Sequence, residues 1–172
     1  MDFIKSFWNI LWEVLGWFKI CTFIDPWEEG IVVRRGMFSR VVKPGIAWHL
    51  PFEIDSIHTI NIKLAAMSLK EQALTTKDGK KIILSAILMW SIINVKKVFL
   101  DVEDASDTLA DIGVGVIHDH VERSNWEYIC TPAFRADLKK AIQKTAHKFG
   151  ISVSTVKFKN LAETKMYRLI TN

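Results

Sequence analysis

The chain has 172 residues, 49% of them apolar, and carries 23 Lys+Arg against 19 Asp+Glu for a net charge of +4. That apolar fraction supplies a core and excludes wholesale disorder, while four prolines and eight glycines exclude a collagenous or low-complexity chain. The charge is too weak to indicate nucleic acid, and no nucleic-acid partner is expected. Two cysteines, Cys21 and Cys130, make neither a disulfide framework nor metal-ligand spacing and read as reduced thiols on a cytoplasmic face.

Three tryptophans, Trp8, Trp12 and Trp17, fall near the start of the chain. Residues 1–24 hold 16 apolar residues, interrupted by Asp2, Lys5, Glu13 and Lys19. A spanning helix needs about 20 predominantly apolar residues, and the charges break the run. Asp2 and the lack of a small-residue cleavage site argue against a signal peptide. Wound as a helix, the segment gathers Asp2, Lys5, Ser6, Asn9, Glu13, Gly16 and Lys19 in an arc of roughly 140°. Phe3, Ile4, Phe7, Ile10, Leu11, Val14, Leu15, Phe18 and Cys21 fill the opposite side, and Trp12 intrudes on the polar face. Trp8 and Trp17 lie at the borders of the apolar side, where indole suits the headgroup level of a bilayer. The reading is an amphipathic helix over 1–24 lying in a membrane surface. Its membrane-binding residues are Phe3, Ile4, Phe7, Trp8, Ile10, Leu11, Val14, Leu15, Trp17 and Phe18. The competing reading packs the same face on protein.

Asp25-Pro26 ends that helix. Gly30–Arg34 and Met37–Val42 read as strands joined at Arg35-Gly36, and Lys43-Pro44-Gly45 as a turn before Ile46–Leu50. Residues 54–70 alternate as strands, and Thr75–Lys80 runs into an Asp-Gly hairpin. Ile82–Ile93 is nearly all apolar, as in a strand covered on both faces. Asp101–Arg123 reads as a helix with Asp104 or Ser106 as cap and Leu109, Ile112, Val116 and His120 or Val121 as its buried stripe. Gly113 and Gly115 are unfavourable there, which implies another backbone close by. Thr131-Pro132 opens a second helix that Gly150 stops, with Phe134, Leu138, Ala141, Ile142, Thr145 and Phe149 inward. Ile151–Phe158 is a last strand, and 160–170 reads as the start of a helix. The fold class is α+β, with a β-rich part over 25–97 and an α/β part over 98–172.

Four stretches resemble one family, the SPFH superfamily of stomatins, prohibitins and flotillins. They are Glu29-Gly30-Ile31-Val32-Val33-Arg34-Arg35-Gly36; Lys43-Pro44-Gly45 through Pro51-Phe52; Gln72-Ala73-Leu74-Thr75-Thr76-Lys77-Asp78-Gly79; and Gly150-Ile151-Ser152-Val153 with Val156. The resemblance covers roughly residues 25–170. It implies two subdomains preceded by the amphipathic helix, the first near a membrane, with many copies closing into a ring or cage and no shared catalytic residues. It also implies a long coiled coil, for which the residues up to Asn172 leave too little, so the expectation is not a tall cage but a flat ring, a minimal scaffold or a capping subunit.

No catalytic, cofactor or metal site is expected. There is no G-x-S-x-G, Gly79-Lys80-Lys81 lacks the frame of a phosphate loop, and His118 and His120 point to different sides of a helix. Charge is segregated: residues 98–130 hold eight acidic groups and one basic, residues 131–172 nine basic and two acidic. Two neighbouring helices of one subunit pairing their faces, or simply solvated surfaces, would account for this. The sharper expectation is head-to-tail association through Asp104, Asp107 and Asp111 on one side and Arg135, Lys139, Lys140 and Lys144 on the other. Arg34, Arg35, Arg40 and Lys43 are candidates for anionic lipid headgroups. The function expected is a membrane-associated, non-enzymatic homo-oligomeric scaffold organising lipid or a partner membrane protein. Its alternatives are a soluble structural ring, as in a virus particle, and a regulator of a membrane protease or channel.

Overall fold

The structure, a computed structural model, is described for residues 21–51 and 54–164. The ten membrane-binding candidates between Phe3 and Phe18 lie outside the described residues. The expected helix does not extend to residue 24. Cys21–Ile24 is a strand, β1, that pairs antiparallel with β4 (Gly45–Trp48). A partner strand satisfies its backbone groups there, and tertiary pairing overrides helical periodicity.

Packing divides the chain between Lys63 and Leu64, not at 97/98. In the first unit, β2 (Glu28–Arg34) lies between β3 (Met37–Val42) and β5 (Asp55–Asn61). Arg35 and Gly36 both take positive φ, 49° and 78°, in the two-residue turn joining β2 to β3. Such a turn matches the right-handed twist of the strands it joins. Ile31 and Val32 point to opposite faces of β2, and both are fully buried. Gly30 leaves room for the β1–β4 ribbon: a Cβ there would lie 3.2–3.3 Å from the His58 carbonyl, Val42 Cγ2 and Ile24 Cδ1.

The second unit is built on β8 (Lys81–Ile92). Along one edge it pairs with β9 (Ile151–Glu163), from Ile82↔Glu163 to Ile92↔Ile151. Its other edge is shared by β6 (Ala65–Ser68) and β7 (Gln72–Thr75). This pairing draws residues 65–92 away from the β-rich part to which the sequence assigned them. It also makes Asn160–Glu163 strand where a helix was expected, since β8 is long enough to extend the ladder that far.

Ile82, Leu84, Ala86 and Leu88 form the fully buried face of β8, whereas Ile83, Ile87 and Met89 are half-buried. Cover on both faces therefore holds in full for one. Four helices follow: α1 (Val95–Asp101), α2 (Ala105–Glu122), α3 (Trp126–Ile129) and α4 (Pro132–Ala146). Asn94 caps α1, Asp104 caps α2 through the amides of Ser106 and Asp107, and Thr131 caps α4 with Pro132 at its first turn. α4 buries Phe134, Leu138, Ile142 and Ala146.

The buried line of α2 runs Leu109, Gly113, Ile117, Val121, so Ile112 and Val116 are not its centre. Gly113 is small because side chains, not a backbone, come close: a Cβ would lie 2.9 Å from Leu69 Cδ1 and 3.2 Å from Leu88 Cδ1. Gly115 has nothing within 4 Å.

Candidate functional site

In the first unit Arg34 and Asp55 face each other across β2 and β5. Arg34 Nε donates to Asp55 Oδ1 at 2.7 Å and Nη2 to Oδ2 at 3.0 Å, and the Leu50 amide donates to Oδ2 at 3.0 Å. The guanidinium of Arg34, and after it the Leu50 amide, hold this buried carboxyl down at about 2, against the opposing effect of burial. Arg40 donates through Nη2 to the Trp48 carbonyl, drawing β3 to β4. Two of the four cations expected at headgroups thus have internal work: Arg34 neutralises Asp55, and Arg40 ties Trp48. Arg35 and Lys43 stand exposed on turns. Arg34, Arg40, Trp48, His49, Leu50 and Asp55 line an open cleft of about 300 Å³.

In the second unit, the Thr-Lys-Asp-Gly turn after β7 is a fastening. Thr76 Oγ1 donates to Asp78 Oδ1, which also accepts the Trp126 amide at 3.2 Å, and the Lys77 amide donates to the Ser124 carbonyl at 3.0 Å. The hydroxyl of Thr76, foremost among these contacts, lowers the Asp78 pKa. Lys80 lies over the Trp126 ring, 4.2 Å being the corresponding distance for the Lys63–Trp27 pair of the first unit and 5.9 Å for this one. The turn joins the sheet to the α2–α3 junction and holds no ligand geometry.

The two charged sets expected at subunit contacts are both exposed. Asp104, Asp107 and Asp111 lie on the first turns of α2 and, with Glu103 and Thr108, line an open cleft of about 520 Å³. Arg135, Lys139, Lys140 and Lys144 stand on the outer face of α4. Although α2 and α4 pack together, no ion pair among the described residues joins these acids to these bases. Lys140 instead reaches Asp137 on its own helix at 3.8 Å, and Arg135 lies over the Phe158 ring at 5.9 Å. Direct ion pairing of these acids with these bases within one subunit is thus absent among the described residues.

His118 and Glu122 approach at 3.6 Å on the surface of α2, and no cluster of three metal-ligating side chains occurs among the described residues. Among these residues no helix is long and apolar enough to cross a membrane. One feature escaped the sequence reading: Phe23, Ile46 and Trp48 are 77%, 58% and 63% exposed. The signal was available, since Phe23-Ile24 and Ile46-Ala47-Trp48 are apolar at successive positions, whereas a strand with one wet face alternates.

Comparison with known proteins places this architecture. The SPFH domain / Band 7 family pattern matches residues 22–168. The chain is similar to the modulator of FtsH protease HflK of Escherichia coli strain K12, 23% identical over 154 residues, which are 87% of this chain and 36% of that protein. It is similar to protein HflK of Vibrio cholerae, 27% identical over 140 residues, 77% of this chain and 35% of that protein. An uncharacterized protein of Schizosaccharomyces pombe is 26% identical over 135 residues, 77% of this chain and 38% of that protein. The chain thus spans little more than a third of the curated relatives it matches. It belongs to the SPFH domain / Band 7 family.

Proposed function

We propose that the protein is a membrane-associated, non-enzymatic scaffold whose copies assemble side by side, acidic α2 against basic α4, into a ring on the cytoplasmic face that organises lipid or a partner membrane protein. The observation that carries this reading is the separation of the two charged faces: exposed acids on α2 and exposed bases on α4, unpaired with each other inside the subunit. A heterologous contact of that kind closes into a ring when its rotation permits. Membrane attachment rests on the aromatic sequence of residues 1–20.

The test is particle mass of the full chain in mild detergent. Wild type forms large closed particles. Asp107→Lys with Asp111→Lys, or Lys139→Glu with Lys140→Glu, yields small species, and mixing the two variants restores large particles in which the variants alternate, because both junctions between unlike copies are complementary. Wild-type protein that stays monomeric or dimeric overturns lateral assembly. Deleting residues 1–20 releases the protein from vesicles; a truncated chain that still floats with them overturns the anchor.

A second reading is favoured by the similarity to HflK of Escherichia coli, named as a modulator of FtsH protease. The scaffold would then act on a membrane protease. Its test is co-purification with such a protease from native membranes and a changed rate of membrane-substrate degradation when the chain is added.

A further inference from the structure

β8 lies along one edge of β9, and among the described residues no strand lies along the other. The ladder decides which groups stand on that open edge. The Ala86 carbonyl accepts the Leu69 amide, so Ala86 turns its backbone groups away from β9. Its partner Phe158 therefore points its own N–H and C=O outward, and so does Val156, opposite Leu88. Lys157, between them, bonds to β8. Gln143 Oε1 accepts the Val153 amide at 2.8 Å and closes the start of the edge. The register shift between Ser85 and Ala86 interrupts it just past Phe158. Between these stops the N–H and C=O groups of Val156 and Phe158 have no partner among the described residues, and such groups are a template for a further strand.

The surroundings of this opening are basic. Lys157 and Lys159, exposed, flank Phe158 along the strand, and exposed Arg135 reaches from α4 over the Phe158 ring at 5.9 Å. Phe158 faces Phe134 of α4, with ring centroids 6.2 Å apart, so Lys157 stands on the opposite face of the sheet. A strand laid on this edge has cations on both of its faces. We infer that the edge of β9 at Val156–Phe158 takes up an extended acidic segment of another protein by strand addition. Backbone bonds to Val156 and Phe158 hold the segment, and its alternating carboxylates meet Lys157 on one face and Arg135 on the other. The inference goes beyond the scaffold reading, since neither the edge nor Lys157 and Lys159 belongs to the α2–α4 contact. Charge argues against a second copy as the occupant: an antiparallel pair joining Val156 to Phe158 sets the two Lys157 side chains directly opposite, which destabilises. This chain's own Asp107 and Asp111 are helical, not extended.

The probe is a fluorescein-labelled peptide, Thr-Glu-Val-Glu-Val-Glu-Thr, titrated onto the full chain in mild detergent by fluorescence anisotropy. Hydrogen exchange resolved to single amides by mass spectrometry accompanies it. The expected result is binding with new protection of the Val156 and Phe158 amides and no change at Lys157, whose amide already bonds to β8. N-methylation of the peptide on one alternate set of residues weakens binding about tenfold or more, and on the other set leaves it unchanged, because only one set faces the edge. Lys157→Glu with Lys159→Glu weakens the acidic peptide about tenfold, favours Thr-Lys-Val-Lys-Val-Lys-Thr in its place, and leaves the particle mass of the full chain as in wild type.

Absence of peptide binding overturns the inference. Equal binding of both N-methylated peptides means attraction by charge alone and overturns it too. Protection of Val156 and Phe158 that rises with protein concentration without peptide assigns the edge to a second copy; protection by phosphatidylglycerol vesicles assigns it to a bilayer; either result overturns the inference. Loss of large particles in the lysine variant places Lys157 and Lys159 in the lateral contact and does the same. Peptide binding of the expected pattern by a wild-type protein that stays monomeric overturns lateral assembly and upholds the strand site.

Discussion

Gly150 is the most closely packed of the glycines in the second unit, and its replacement by alanine is the sharpest test of how that unit is held. Its φ is +80°, and a Cβ would sit 2.6 Å from the Asn94 carbonyl oxygen, where ordinary contact begins at 3.4 Å. The left-handed conformation alone costs an L-residue about 1–2 kcal/mol. Relieving the clash requires moving the peptide around Asn94, whose own amide and that of Ile93 both donate to the Gly150 carbonyl, at 3.1 and 2.9 Å. Losing or stretching these bonds adds about 0.5–1.5 kcal/mol each. Gly150→Ala is therefore expected to destabilise the unit by about 2–5 kcal/mol.

Gly79 is the matched control, because its φ is +77° but nothing lies within 4 Å of its Cβ position. Gly79→Ala should cost only the conformational part, about 1–2 kcal/mol. Gly115→Ala, in mid-helix and open space, should stabilise by about 0.8–1 kcal/mol. The assay is urea unfolding of the full chain followed by its helical circular-dichroism signal, which reports the second unit because all helices among the described residues are there. A Gly150→Ala protein no less stable than Gly79→Ala would refute the argument that the Asn94 backbone sets this position.

Three further outcomes follow from particular contacts. Asp55 has a folded pKa of about 2 against an ordinary 3.8, so its contribution is complete above the ordinary value and fades as pH falls towards 2. Asp55→Asn should lower the urea midpoint of the first unit, followed by a fluorophore placed in that unit, at neutral pH and flatten its decline over that acid window; an unchanged pH profile would remove the Arg34 pair from the account. Thr131→Ala should cost about 1 kcal/mol in the same unfolding assay, by loss of the acceptor for the Phe134 amide, with Thr131→Ser near wild type. Leu88→Ala, at 0% exposure, should cost about 2–5 kcal/mol. Its neighbour Ile87, half-buried on the other face, should cost less on the same change, and equal costs would contradict the assignment of faces.

Much of this was legible in order along the chain. The hairpin at Arg35-Gly36, the Asp-Gly turn, the Thr131-Pro132 cap and the stop at Gly150 each depend on local chemistry, and each stands in the structure where its residues put it. Local chemistry could not say which strand partners which. Residues 65–92 look like a continuation of the preceding strands until β9 is seen along β8, and that pairing is decided by residues far apart in sequence. The same limit explains Cys21–Ile24, whose helical periodicity yields to pairing with Gly45–Trp48. The stripe on α2 was displaced by one residue because Gly113, read as a weakness, is the space into which Leu69 and Leu88 fit. At the candidate interfaces, sequence located the charges on α2 and α4 but gave no means of knowing that Arg34 is committed to Asp55.

The pairing of β8 with β9 also bears on how the chain reaches its fold. Ile82–Ile92 leaves the ribosome well before Ile151–Glu163, so the most apolar strand waits with one edge open while four helices are made. Long-range antiparallel closure of this sort slows folding, and an open apolar edge invites pairing with other nascent chains. Lys157 and Lys159, set on the late strand, place charge where such mispairing would propagate. The second unit should accordingly gain its protection in one late step, when β9 docks, and neighbouring copies on a polysome face their greatest risk of aggregation just before it.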